Sequence, residues 1–240
     1  QDLGVGEINH TTLVVYRKPK IAIISNGDEL VEPGSKDAPN KIISANNYGI
    51  KAYLEQLGAN VTDFGIAKDN IKSLRAKINK AANHDIIVTI GGASVGDFDL
   101  VKESIHSELE LKFWKIAMRP GKPLIYGRLG EAHFLGLPGN PVSAHVSCQL
   151  FLKPMINKFM NFEDENFYIT EAKLKTSLKE NDERQDFIRG FYKDGFVTPH
   201  KVQDSSSLSV LNSSNVFIIR EPNAPSKKIG EIVQILKIDF

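Results

Sequence analysis

At 240 residues the chain is long enough for one large domain, or for a large and a small one. Apolar residues at 41%, charged residues at 25% and a net charge of +1 describe an ordinary globular protein, with no field that would select nucleic acid or a membrane surface. No apolar run reaches membrane-spanning length, no signal peptide opens the chain, and one cysteine, Cys148, can build neither a disulfide framework nor a zinc site. These features fit the reducing cytoplasm and exclude nucleic-acid and membrane partners. The chain begins with Gln1 rather than Met, which suggests missing upstream sequence. Residues 1–18 read as a linker remnant.

The run Lys20–Ser25 (KIAIIS), bounded by Pro19 and Asn26-Gly27, predicts a buried strand. Asn46–Leu57 has helical apolar spacing and stops at Gly58. Asn60–Ala67 predicts a second strand, Ile71–Ala82 a helix opened by Asp69-Asn70, and Asp85–Ile90 a third strand running into Gly91-Gly92. A helix is expected over Asp99–Ile105. Strands follow around Leu124–Gly127 and His133–Leu137, then a long helix from Asn140 or Pro141 to about Phe159. Strands alternating with helices predict an α/β layer structure with a largely parallel sheet, over residues 19–161. Residues 162–240 change character. Phe167–Ala172, Phe187–Tyr192, Val197–His200, Val216–Ile219 and Ile232–Ile238 are short β-type runs between Asn, Asp, Gly and Ser clusters. They predict a small antiparallel all-β domain, barrel-like and without helices, in which Asp204–Ser209 (DSSSLS) is a loop.

In a parallel sheet, ligands bind beyond the carboxyl ends of the strands. Three glycine turns fall there: SNGDE (Ser25–Glu29), GGASVGDFD (Gly91–Asp99) and LPGNPVS (Leu137–Ser143). In the second, Gly91, Gly92 and Gly96 free the backbone to turn its N–H groups to an anion, and Ser94 can donate to a phosphate oxygen. Asp97 and Asp99 either cap the following helix or hold a bridging cation. In KIAMRPGKP, Lys115, Arg119 and Lys122 surround a Pro-Gly turn and suit oxyanions, although Lys115 can equally lie over the Trp114 ring. In the third turn, Asn140 reads as an N-cap and Pro141 as the first helical residue. That leaves the amides of Val142 and Ser143 at an open helix N-terminus beside Pro138 and Gly139. Asp69 reads as a cap in the ordinary case. Glu29 has no capping role, and a cluster of Glu29, Asp69, Asp97 and Asp99 would need a cation or the N–H edge of a polar ring as partner.

SNGDEL, the SANN segment at Ser44–Asn47, GIAKDN, GGASVGDFD, FWKIAMRPGKP and LPGNPVSA stand in the order and approximate spacing of the molybdopterin molybdenumtransferases, the family of MoeA and of the gephyrin and plant Cnx E domains. The resemblance is strong over Lys20–Asn161 and weaker beyond. It implies a three-layer α/β molybdopterin-binding domain like that of MogA and MoaB, followed by the family's β domain. The implied activity is insertion of molybdenum from molybdate into adenylylated molybdopterin with release of AMP. The alternative within the family is a non-catalytic scaffold module. Related adenylyltransferases and CinA-like hydrolases would lack LPGNPVSA and the following β domain.

Carried over by position, the resemblance implies catalytic roles for Glu29, Asp69 and Asp99, and Mg2+ held by Glu29 and Asp99. Substrate would contact Gly91, Gly92, Ser94, Gly96, Asp97, Lys115, Arg119, Lys122, Pro138, Gly139, Asn140, Pro141 and Ser143, with molybdate at Arg119 and Ser143. The full-length protein is expected to be a homodimer, with a MogA-like adenylyltransferase as a further partner. The chain departs from the family at Asn26, where Thr is usual, and at Arg119, where Lys is common. It also lacks two upstream family domains, so it reads as part of an enzyme.

Overall fold

The computed structural model describes residues 12, 14–91, 101, 103–105, 108–162 and 169–240. Its first sheet has six strands: β1 (Lys20–Asn26), β4 (Asn60–Ala67), β5 (Ile86–Ile90), β6 (Leu109–Trp114), β8 (Ile125–Leu129) and β9 (Ala132–Leu137), in the order β4-β1-β5-β9-β8-β6. The first four in that order are parallel, and β8 and β6 run antiparallel to their neighbours. Ile21, Ala22, Ile23 and Ile24 are all fully buried, because β1 is covered on both faces. Alternation splits them. Ile21 and Ile23 pack under α1 (Asn46–Gln56) and a long helical segment, whereas Ala22 and Ile24 pack under α2 (Ile71–Lys80) and residues 101–105. Two helical layers enclosing one sheet make the expected three-layer arrangement.

The long helical segment comprises α3 (Pro141–Ser147), a π-helical turn (Cys148–Leu152) and α4 (Lys153–Phe159). The π turn ends just before Pro154. A proline ring clashes with the carbonyl four residues earlier, and a wider turn relieves that clash.

A second sheet holds β7 (Met118–Arg119), β10 (Ile169–Leu174), β11 (Gln185–Lys193), β12 (Phe196–Pro199), β13 (Val216–Arg220) and β14 (Ile232–Lys237). The order is β12-β10-β14-β13-β11-β7, and a β11–β12 pairing closes β10–β14 into a five-stranded barrel. Val216 and Ile218 point into the barrel, while Phe217 packs against Met118, Val142 and Val146 of the α/β layers. A short strand from the first unit, β7, is therefore hydrogen-bonded onto a strand of the second. A two-stranded ribbon, β2 (Leu30–Val31) and β3 (Ile42–Ile43), leans over the end of β1.

Four expectations need correction. The β domain is not purely antiparallel, since β10–β12 and β11–β7 pair in parallel. It is not free of helices, because α5 (Leu208–Asn212) follows directly on the serine-rich loop. Strands β6 and β7 went unforeseen: β6 is an edge strand whose Glu110, Leu111 and Lys112 are exposed, and β7 has two residues. Finally, Asn70 rather than Asp69 caps α2, its side chain accepting from Ser73 N at 2.9 Å. The start of the helix expected at Asp99 lies outside the described residues.

Candidate functional site

A cleft of about 570 Å³ opens beyond the carboxyl ends of β1, β5 and β9. Three chain turns meet at its floor. Gly91 has φ +82°, and a Cβ there would lie 2.6 Å from the Asn26 main-chain oxygen. Gly139 is close enough that its own Cβ would stand 3.5 Å from Gly91 Cα. Only glycine at 91 allows this approach, in a backbone region other residues rarely enter. The turn after β1 is folded as tightly: Gly27 lies under the Glu29 carboxylate, where a Cβ would meet both carboxylate oxygens at 2.6 Å.

Glu29 is exposed and lines the cleft, with its main-chain oxygen accepting from Ile42 N at 2.8 Å. Asp69 also lines the cleft, but both its oxygens are engaged. Oδ1 accepts from Asn26 Nδ2 at 2.8 Å, and Oδ2 from Asp28 N at 2.9 Å. Asp28 answers by accepting from Asp69 N at 3.2 Å. The carboxylate thus clamps the SNGDE turn onto the end of β4.

The N-terminus of α1 opens on the same cleft. Ala45 occupies its N-cap position and has no side chain to cap with, so an anion could take the first-turn N–H groups. Asn46 ties this turn to the third motif, donating from Nδ2 to Gly139 O at 2.7 Å. Beneath it, Ser44 Oγ bonds Asn47 Oδ1 at 3.0 Å, and Asn47 Nδ2 donates to Asp63 Oδ2 at 2.6 Å. The SANN segment is therefore part of the wall and its support. Leu30, Ile42 and Ile43 of the β2–β3 ribbon supply an apolar side, with Ile42 60% exposed.

Of the expected residues, Glu29, Asp69, Gly91, Pro138, Gly139, Asn140 and Pro141 come together here. Gly92, Ser94, Gly96, Asp97 and Asp99 lie outside the described residues. Four do not arrive. Arg119 turns to the barrel: its guanidinium donates to Asp186 and, at 2.9 Å, to Asp182, and it borders a separate cavity of about 270 Å³ with Lys179 and Arg220. Its hydrogen bond to Asp186 raises the Arg119 pKa, while Arg184 beside it holds Asp182 down at about 2. Ser143 is buried within α3 rather than presented to the cleft. Lys115 lies over the Trp114 ring, its Nζ 3.9 Å from the centroid. Lys122 is exposed and not among the lining residues. Neither Arg119 nor Ser143 lines this cleft.

The open N-terminus expected at α3 is closed as well. The Asn140 side chain makes no cap and donates to Ser205 Oγ at 3.0 Å, while Val142 N donates to Ser205 O at 3.0 Å. A loop of the barrel thus covers that helix end, and its Ser206 lines the cleft. Under the loop lies Arg189, only 1% exposed. Its guanidinium donates to Asp204 O at 3.2 Å, its Nε has no partner among the described residues, and burial lowers its pKa. Asp204 offsets this buried charge through space, since its carboxylate raises the Arg189 pKa against the effect of burial, without a hydrogen bond between the two side chains among the described residues. Arg189 and Ser206 escaped sequence reading. The DSSSLS stretch was visible only as a loop, and nothing local marks Arg189 as buried.

The metal expectation has one placed member, Glu29. Among the described residues no three His, Cys, Asp or Glu side chains gather as a metal site.

Comparison with known proteins matches this geometry. Residues 22–158 fit the family model described as a probable molybdopterin binding domain, and residues 171–238 fit the MoeA C-terminal region, domain IV. A molybdopterin molybdenumtransferase of Haemophilus influenzae is 36% identical over 240 positions, covering 97% of this chain and 58% of the relative. One from Nostoc is 35% identical over 219 residues, covering 88% and 49%. The crystal structure of a molybdopterin-biosynthesis MoeA protein from Pyrococcus horikosii superposes with a TM-score of 0.81 at 29% identity, covering 93% of this chain and 55% of that one. The chain spans about half to three-fifths of the length of the relatives it matches.

Proposed function

Because the chain belongs to the molybdopterin-binding domain family and carries a MoeA-type C-terminal region, we propose that its cleft binds adenylylated molybdopterin and that the protein containing it inserts molybdenum from molybdate, releasing AMP. The observation that carries this reading is the meeting of three strand-end turns and an uncapped helix N-terminus around one cleft. The cleft has two chemically distinct parts. Its β1 end offers acceptors, Asn26 and the Glu29 carboxylate, which suit the N–H edge of a pterin. The α1 N-terminus suits a phosphate. Apolar Leu30, Ile42 and Ile43 suit the faces of a flat ring.

Molybdate, as substrate, is a dianion and needs cationic or N–H donors. Arg189, which does not itself line the cleft, lies beneath the loop whose Ser206 does, and is our candidate for the cation that draws molybdate to that side. Glu29 is exposed and its carboxylate makes no hydrogen bond among the described residues, so it is available to orient substrate or, with Asp99, to hold Mg2+. A bound Mg2+ would supply charge neutralisation for the phosphates. Homodimerisation and delivery of substrate by a MogA-like adenylyltransferase belong to the same proposal, as does the cytoplasm as its place of work. The test is fluorescence titration with adenylylated molybdopterin, followed by reconstitution of a molybdenum-free reductase. Saturable binding and molybdate-dependent reconstitution are expected; absence of binding overturns the reading.

A further inference from the structure

Asn26 is 4% exposed, yet it lines the cleft. Its amide cannot turn freely. Nδ2 donates to Asp69 Oδ1 at 2.8 Å, and reversing the amide would set its oxygen against that carboxylate. The orientation fixed in this way leaves Oδ1 buried and without a hydrogen-bond partner among the described residues. A buried acceptor left unmatched is costly unless something supplies a donor. The three turns crowd this point. The Asn26 carbonyl sits against Gly91, and Gly27 sits under Glu29, so the described backbone at this point has no slack to bring a donor of its own.

The geometry points to Asn26 as the residue that takes a hydrogen-bond donor of the bound ligand, with Asp69 as its positioning residue rather than a group that itself touches substrate. Asp69 spends both oxygens on the clamp, one on Asn26 and one on Asp28 N. The ligand group recognised is an N–H or O–H edge; on the proposed substrate it is the N–H edge of the pterin. The phosphates then point the other way, toward the N-terminus of α1. This inference rests on the cleft function proposed above. It also accounts for the residue at position 26. One threonine hydroxyl can donate to Asp69 while its oxygen accepts from the ligand, and the amide of Asn26 divides the same two tasks between Nδ2 and Oδ1.

The experiment is equilibrium titration of the chain with adenylylated molybdopterin, with thermal unfolding of each variant alongside. Asn26→Val matches threonine in shape but removes donor and acceptor, and binding is expected to weaken about ten- to a hundred-fold. Asn26→Thr is expected to restore affinity to within about threefold of the parent. Asp69→Asn and Asn26→Asp each break the clamp and weaken binding. Combined, the two substitutions rebuild it in mirror form. The amide then placed at position 69 would donate to the carboxylate then placed at position 26, and its oxygen would accept from Asp28 N. One carboxylate oxygen at position 26 would remain for the ligand. The double variant should therefore bind better than either single one, a recovery that a merely structural role for the two positions would not produce in affinity at equal Tm. Parental affinity in a folded Asn26→Val, or a double variant no better than Asp69→Asn alone, overturns the inference and leaves the cleft reading intact. If the parent chain does not bind, the cleft reading fails and the inference with it.

Discussion

The two halves of the molecule use opposite kinds of interior. Under the cleft, the α/β layers bury unbroken aliphatic strands, and the polar work is left to turns at their ends, made of glycine, proline and main-chain groups. The barrel buries charge: Asp186, Arg189 and Arg220 are 6%, 1% and 4% exposed; Asp186 meets Arg119 and Arg189 meets the Asp204 carbonyl across the fold, while Arg220 turns to the carbonyls of Lys179, Ala224 and Pro225. In the first half function is written in backbone shape, and in the second in how buried charges are matched. Substitutions should therefore behave differently on the two sides.

The largest effect is expected at the cleft floor. Gly91→Ala must hold a Cβ at φ +82° and 2.6 Å from a main-chain oxygen, and should cost about 2–4 kcal/mol in urea unfolding together with ligand binding. In the barrel, Arg119→Ala takes from the buried Asp186 carboxylate its hydrogen-bonded cation, leaving Arg184 and Arg220 to act on it through space. The loss should be about 2–3 kcal/mol, below the full figure for a buried pair because Arg119 itself is half exposed. Calorimetry should show molybdate affinity unchanged in this variant, since Arg119 lies off the cleft.

A smaller effect should appear with pH. Burial lowers the pKa of His133, with Arg128 adding to the effect, and burial lowers that of His145. Arg128 donates to His133 Nε2 at 2.9 Å, so protonation there must break that bond. Both imidazoles bind protons more readily when the chain is unfolded. Their contribution to stability is complete above the unfolded pKa of about 6.5 and is lost as pH falls from there through the lower folded values. Urea midpoints between pH 7.5 and 5 should fall, and His133→Gln should flatten part of that slope.

The smallest change in stability, paired with a large change in function, is expected for Arg189→Met. Asp204 offsets this charge without a hydrogen bond between the side chains among the described residues, so its removal should leave stability within about 1 kcal/mol, while the proposed molybdenum insertion falls at least about a hundredfold. A variant that unfolds would show Arg189 to be structural and would erase the contrast between the halves.

The same contrast explains what could be read from the sequence. Ile21–Ile24 and Ile86–Ile90 announce buried parallel strands by composition alone, and Gly58, Asn70 and Pro141 mark helix ends by local chemistry. The turn motifs located the cleft for the same reason: glycine and proline requirements are local. Charged residues gave no such guide. Arg119 and Lys122 look alike beside one Pro-Gly turn, yet one is held by Asp182 and Asp186, more than sixty residues away, and the other faces solvent. Asn140 is a proper cap by sequence, but a barrel serine takes its side chain. Asp69 reads locally as a helix cap, but its carboxylate holds Asn26 and the Asp28 amide, contacts that depend on a strand forty residues earlier.

The claim that the cleft at the strand ends is the ligand site is tested most directly by hydrogen exchange with and without adenylylated molybdopterin. The account predicts slowed exchange over Asn26–Leu30, Ile42–Asn47, Gly91 and the Pro138–Pro141 turn, extending to Ser206. Protection confined to the cavity around Arg119, over Leu178–Asp186, with none at Asn26–Leu30, would contradict it.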